Sequence, residues 1–460
     1  MADKKPAPGG DHGGFFSSIP KEFWIFLIIS IPTYFLWQYN SRLLILFIST
    51  FVVSRIAWKV WVHYVQQDFL SGIDYVLLEI VPPREVLRNP RAMELFFTNA
   101  LYHWSNKGGI EAYWQGAVWF FYSLEIVSID GQVHFYIRTP TRLKEMIETQ
   151  MYAQYPQAQV RVAEDYTAAV DEITEDGKWK LWGCEWKLEK PEAYPIKTYV
   201  DFGLDKDPKE EYKIDPISPV IELFGSLKKG EQMWCQIVIR PTKKEFHEHG
   251  TWFGSHDWVK ESEEQLKLIL KPYTQVKDSG AVEIRAPDFL RPVVEGVTNK
   301  MTKIGFDTGI RTIYVATKEA WSMNSRRNIR LIFRQYSKPL LNSIVRHNAT
   351  QADSLGGGGF VGSFFMLPGK TVTRLQDRML LEYRERAFFY HPLRQQLFNE
   401  HSLPWPISPW LFPAYFHSVF YVLSVEELAT IWHFPGQILK VPTLERIESK
   451  EAAPPTNLPS

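Results

Sequence analysis

Cysteine is almost missing from this chain. Its 460 residues hold only Cys184 and Cys235. Each sits among tryptophans in a strand-like run, where cysteine serves as a small buried hydrophobe. That excludes a disulfide framework and favours a reducing compartment. Net charge is missing too. Lysine plus arginine and aspartate plus glutamate number 52 each, so no general field gathers a polyanion. This argues against a dedicated nucleic-acid binder and leaves nucleic acid open only as a local contact.

Local catalytic signatures are absent as well. There is no G-x-S-x-G, and Cys184 in Trp-Gly-Cys-Glu-Trp alternates like a strand interior instead of opening a helix. Pro368-Gly369-Lys370-Thr371 suggests a phosphate loop, but the glycine required five residues before Gly369 is Phe364, and Gly362 is displaced by two. His247, His249, His256 and Asp257 lie close together without the spacing of a helical His pair, so they read as a solvated loop, as do His391, His401 and His417. These readings assign no catalytic residue, cofactor or metal. Because triad members need not be neighbours in sequence, a membrane-bound enzyme with a site in the aromatic region 387–421 stands as the alternative function. A self-assembling ring component is a third.

What is present begins with apolar runs. Phe23 to Trp37 is nearly all apolar, and after Gln38–Arg42 a second run goes from Leu43 to Val53, extending through Val62 if Arg55 and Lys59 snorkel. No small-residue cleavage site precedes Gln66, which disfavours a signal peptide. Residues 21–65 therefore read as a transmembrane helical hairpin behind a disordered 1–20. Lys4, Lys5 and Lys21 precede the first run, Arg42 lies between the two, and Arg55 and Lys59 follow, which favours both outer flanks in the cytoplasm; one bent span around Pro32 is the alternative and would put the tail opposite the N-terminus. The expected location is the cytoplasmic (inner) membrane, with the soluble domains facing the cytoplasm.

The soluble part reads as α+β. Tyr75–Pro82 is a strand stopped by Pro82-Pro83, and Arg84–His103 has helical spacing. Ala117–Ile126 and Val133–Arg138 flank the hairpin signal Asp130-Gly131. Thr141 opens a helix ending at Pro156, and the strand AQVRVAE follows. The order βαββαβ over 70–170 is that of a ferredoxin-like domain. A second such domain is expected over 190–320: strand 196–202, helix 219–227, strand 232–240, helix 289–304 and strand 309–317. It carries a charged insertion at 242–280 with a helical hairpin at Glu261–Leu270. Region 321–444 reads as helical and irregular, rich in aromatics and prolines. Its helical candidates are 326–334 and 373–386, and glycines 356–359 mark a mobile loop. Residues 445–460 read as a disordered, Pro-rich tail.

Three stretches, Phe306–Ala316, Leu423–Pro435 and Ala453–Pro459, resemble the membrane-anchored region that precedes the motor ATPase in conjugation and type IV secretion-like bacterial proteins. In such proteins the Pro-Pro-x-Asn-Leu-Pro element looks like the hinge into the ATPase core. Here the chain stops one residue later. The resemblance thus implies an anchor and docking module without its motor, the ATPase being a separate chain. It transfers no catalytic residue.

The expected function is a membrane-anchored, non-catalytic scaffold that positions this motor and could form a homo-oligomer. The expected docking element is the helix SVEELATIW, capped by Ser424 with Glu427 three residues on, offering Glu427, Leu428, Ile431 and Trp432 to a groove. Arg326, Arg327, Arg330 and Arg334 form a basic run that could bind anions, although in a chain without net charge a solvated helix face is the favoured explanation.

Overall fold

The computed structural model describes residues 41–83, 89–103, 108–205, 215–242, 246–247, 255–276, 282–284, 287–350, 369–390 and 418–436. The apolar run at 23–37, the glycines 356–359, nearly all of 387–421 and the tail lie outside them. The chain divides into two compact units, Met1–Trp61 and Val62–Ser460.

The described part of the first unit is the start of helix α1 (Ser41–Ser71). Within it Ile45–Ser71 is long and apolar enough to cross a membrane. Ile45, Leu46, Phe47, Ile48, Phe51, Val52, Val53 and Ile56 are all exposed. The hydroxyls of Ser49 and Thr50 donate back to the Leu46 carbonyl, which satisfies them without water. One such helix is described, so the expected hairpin rests on a run outside the described residues.

The second unit is built on one antiparallel sheet. β1 (Tyr75–Val81) leads to α2 (Arg91–Phe96), which runs into a π turn at Phe97–Leu101, and then to the short α3 (Gly109–Tyr113). The expected helix from Arg84 thus begins at Arg91, after Pro90, a residue suited to the first turn because its missing N–H would be unpaired there anyway. β2 (Tyr122–Ile129) and β3 (Gln132–Pro140) form a hairpin through Asp130 and Gly131, at φ 54° and 84°. Both left-handed positions are what a tight two-residue turn requires. A Cβ at Gly131 would also lie 2.6 Å from the Leu227 carbonyl oxygen. α4 (Lys144–Gln154), β4 (Gln159–Ala163) and β5 (Trp179–Leu188) follow.

α5 (Ser218–Gly225) precedes β6 (Glu231–Pro241). The insertion then contains two-residue strands β7 (Phe246–His247) and β8 (Ser255–His256), one helix α6 (Trp258–Leu270), and the ribbon of β9 (Thr274–Val276) with β10 (Val282–Ile284). Over Glu261–Leu270, where a helical hairpin was expected, the described chain is one continuous helix, and Asp257 caps its start by accepting from the amides of Val259 and Lys260. α7 (Arg291–Met301), β11 (Gly305–Thr317), α8 (Met323–Asn328), β12 (Ile344–His347), α9 (Gly369–Glu385), β13 (Tyr421–Ser424) and α10 (Val425–Ile431) complete the unit.

The sheet order is β12-β5-β11-β6-β2-β3-β1-β4, with β13 also on β11. The two expected domains therefore share one sheet. It is continuous because β2 pairs with β6 along its whole length, from Tyr122 opposite Ile239 to Ile129 opposite Gln232. Outward from that seam the order is β2, β3, β1, β4 on one side and β6, β11, β5, β12 on the other. β5 supplies the strand expected at 196–202; there Ile196–Thr198 are irregular and Tyr199–Phe202 form a turn. Their amides serve α10 instead: Ile196 N–H donates to Glu427 and Tyr199 N–H to the Thr430 hydroxyl.

One face of the sheet is apolar. Leu78, Leu124, Ile137, Ile237, Ile310 and Trp186 pack there with Phe96, Met151, Ile221 and Leu428 from α2, α4, α5 and α10. Over the opposite face, Met379, Leu380 and Tyr383 of α9 meet Leu181, Trp234 and Ile313.

Candidate functional site

The face under α9 holds the densest chemistry of the described chain. One residue from each strand lies in a single row: Arg161, Glu79, Tyr136, Glu125, Gln236, Arg311, Glu185 and His347, each opposite the next from β4 to β12. The row arises because strands YVLLEIV, YSLEIVSI and GIRTIYVA each set a lone charge in an apolar run and WGCEWKL sets Glu185 between tryptophan and cysteine, and side chains two residues apart share a face.

Its centre is buried and closely paired. Glu125 accepts from Ser123 at 2.6 Å, Tyr166 at 2.7 Å and Arg386 Nε at 3.0 Å. Arg386 also reaches Asp165 at 2.6 Å, and the Tyr383 hydroxyl lies 2.8 Å from that of Tyr166. Gln236 Nε2 donates to the Tyr383 carbonyl at 2.9 Å. Next along, Arg311 Nη2 donates to Glu185 at 2.6 Å and to Glu382 at 3.0 Å. Arg378 Nε, Asn348 and Ser418 supply further donors to these two carboxylates. Towards the β4 edge, Glu79 accepts from Arg161 at 2.8 Å and lies 2.7 Å from His134 Nδ1.

Titration follows that pairing. Burial pushes the Glu79 carboxyl up, but the hydrogen bonds with His134 and Arg161 outweigh it and hold the group at about 2. Burial likewise opposes ionisation of Glu125 and Asp165, and Arg386 holds both below the usual carboxylate range. Glu185 is depressed against its burial by Arg311, whereas burial and the adjacent Glu185 charge raise Glu382. Burial lifts the Tyr166 and Tyr383 phenols, and the neighbouring Glu125 charge adds to it.

Four residues along β6 and β11 from Gln236 and Arg311 lies an aromatic cluster. Arg240 donates to Asp307 at 2.7 Å, with its guanidinium 4.5 Å from the Phe389 ring centre and 5.1 Å from that of Phe420. Phe388 lies flat over Gly309, where a Cβ would fall 2.1 Å from a ring carbon, so only glycine fits beneath it. Chemically, this arrangement stores opposite charges against one another. Among the described residues no three His, Cys, Asp or Glu side chains are grouped to hold a metal ion. A shallow pocket of about 540 Å³ lies elsewhere, on α6, lined by Glu264, Lys267, Leu268, Leu270, Lys271 and Thr274.

The residues expected to dock a partner are placed differently. Glu427, Leu428, Ile431 and Trp432 are buried, at 2 % exposure or less. Ser424 and Glu427 do form the expected reciprocal cap, but Glu427 also pairs with Lys300 at 2.9 Å, and Trp432 packs on Phe97, Phe135 and Phe434. The apolar side of α10 is thus filled by the unit's own core, which corrects the docking assignment. The basic run is also dispersed: Arg326 is buried, Arg330 half-buried, and Arg327 and Arg334 exposed, so the four do not present one anion-binding surface. Cys184 and Cys235 form no disulfide and are buried, both opposite Thr312 on β11. Asp257 is the α6 cap described above, and Gly369-Lys370-Thr371 opens α9.

Sequence reading passed over the row itself. Its signal was the lone charge in three apolar strands, a pattern that a solvent-facing residue produces equally well.

A family model for a domain of unknown function, DUF8128, matches residues 120–352, from the start of β2 to just past β12. No curated protein and no solved structure matches the chain.

Proposed function

This chain belongs to the DUF8128 family, and from that premise we propose that it is a membrane-anchored, non-catalytic scaffold. Its soluble unit works at the inner face of the cytoplasmic membrane and positions a separate motor ATPase of the conjugation or type IV secretion-like kind. In this reading the soluble unit is two ferredoxin-like halves fused edge to edge through β2 and β6. The strand orders β4-β1-β3-β2 and β12-β5-β11-β6 support that reading.

The observation that carries the scaffold reading is how the buried charges are used. Glu125, Glu185 and Glu382 each accept from a buried arginine, and two of these bonds reach across more than 120 residues of chain. Charges committed in this way favour one arrangement of the fold. The exposed apolar start of α1 supports the anchor. With the apolar side of α10 occupied internally, recruitment falls to the exposed surface of the unit.

Affinity purification of the full-length tagged chain from its native membrane in mild detergent, followed by mass spectrometry, tests this. The expected result is recovery of a nucleotide-hydrolysing motor in a fixed ratio. Recovery of the chain alone, or only with copies of itself, would overturn the motor-scaffold reading.

A further inference from the structure

We propose that His433 and Asp215 form a proton-operated clasp, a conformational switch that holds the end of α10 against the start of α5 while the imidazole carries two protons and opens when the ring loses one.

The clasp joins distant parts of the chain. His433 lies two residues past α10 and is 2 % exposed, and Asp215 lies three residues before α5. Nδ1 of the ring is 2.8 Å from the Ala429 carbonyl oxygen, and Nε2 is 3.0 Å from Asp215 Oδ1. The Asp215 carboxylate also accepts from the amides of Ile217 at 3.0 Å and Gly436 at 3.2 Å. It is ionised there. Burial pushes its carboxyl up, but the charge and hydrogen bond of His433, together with the two amides, hold it below the usual carboxylate range.

Both ring nitrogens therefore face oxygens that only accept. A neutral imidazole has a single N–H. With that proton on Nδ1, the Nε2 lone pair is set against a carboxylate oxygen; with it on Nε2, the Nδ1 lone pair is set against a carbonyl. Either form leaves two acceptors in contact in a buried place, and only the imidazolium satisfies both contacts. Its position suits a cation, because the last carbonyls of a helix favour positive charge.

No neighbour replaces the ring in this role. Glu427 on α10 is engaged by Lys300, and Glu426 and Glu94 by Lys303. The Tyr336 phenol donates to the Pro216 carbonyl beside the clasp, and burial and the Asp215 charge keep it protonated. Among the described residues, Asp215 is the one titratable side chain bonded to His433. The direction follows from these contacts. The arrangement needs a protonated ring and an ionised carboxylate, and the carboxylate is held ionised to unusually low pH. The clasp is therefore closed on the acid side of the ring's titration and opens as pH rises through it. Opening turns the attraction between Nε2 and Oδ1 into repulsion, and the chain at Gly436 separates from that at Ile217.

The test is amide hydrogen exchange of the full-length chain in detergent, read by mass spectrometry from about pH 5 to about pH 8, with each rate corrected for the intrinsic effect of hydroxide. Opening at Gly436 and Ile217 is expected to increase with pH, by up to about tenfold per pH unit, the limit for one linked proton, while β11 at the middle of the sheet keeps its protection. Asp215→Asn should remove the rise, because its side-chain amide can donate to the bare ring nitrogen. His433→Gln should remove it too, having no proton to lose; if that variant fails to fold, Asp215→Asn decides alone. Opening that stays flat with pH in the parent, or a rise that persists in Asp215→Asn, would overturn the clasp. So would loss of protection in β11 in step with Gly436, since the response would then be unfolding of the whole unit.

Discussion

On one face of the sheet, Leu78, Ile137, Leu124, Ile237, Ile310 and Trp186 lie side by side across six strands, and all are buried among apolar neighbours. One residue along on the same strands, Glu79, Tyr136, Glu125, Gln236, Arg311 and Glu185 form an equally continuous row on the other face. A one-residue slip in pairing would exchange the two rows. Register is therefore specified twice: by apolar surface that must be covered, and by charges that find partners only in one alignment. Buried ion pairs contribute little net stability compared with apolar packing, but breaking one is severe. The comparison suggests that the apolar face supplies the stability, while the polar face restricts the unit to one seam and one seating of α9.

The largest expected effect comes from breaking the polar face at its centre. Arg311→Met leaves Glu185 and Glu382 buried without their shared cation and should cost about 3–5 kcal/mol. Urea unfolding followed by far-ultraviolet circular dichroism would measure it. A loss below about 1 kcal/mol would mean that the row is solvated.

A smaller effect separates the faces by pH. The Glu79 carboxyl is depressed from the ordinary 4.5 to about 2 in the fold. Its contribution is therefore fully present above about pH 4.5 and is lost as pH falls towards 2. Glu79→Gln should flatten the acid limb of a Tm-against-pH curve and change little near neutrality beyond the constant cost of the lost pair. An unchanged acid limb would place the acid sensitivity elsewhere, for example at Glu125 and Asp165, which are depressed in the same direction.

Much of the element order was legible in the sequence, because it depends on local rules. The Asp130-Gly131 turn, the Ser424 and Glu427 cap, and the apolar runs of β1, β6 and β11 each announce themselves within a few residues. The seam between β2 and β6 was not legible, since either strand could have stayed at the edge of its own sheet. The same limit explains Ile196–Phe202. Its apolar pattern suits a strand, but Pro195 stands before it and its amides turn to Glu427 and Thr430, more than 200 residues away. The side of α10 was read as a ligand for a partner's groove because an amphipathic helix looks the same whether it covers its own core or another protein's. Arg326 turning inward while Arg327 faces solvent is likewise a matter of packing that charge counting does not reveal.

The most direct test of the account is a substitution that removes charge and keeps volume: Arg311→Met with Glu185→Leu and Glu382→Leu. If the row serves only to fix the fold, the triple variant should unfold within about 1–2 kcal/mol of the parent, recovering most of the single-variant loss, and should capture the same motor from native membranes. A triple variant that folds as well as the parent but no longer captures the motor, or that abolishes a turnover measured for the parent, would contradict the account and make the row a functional site.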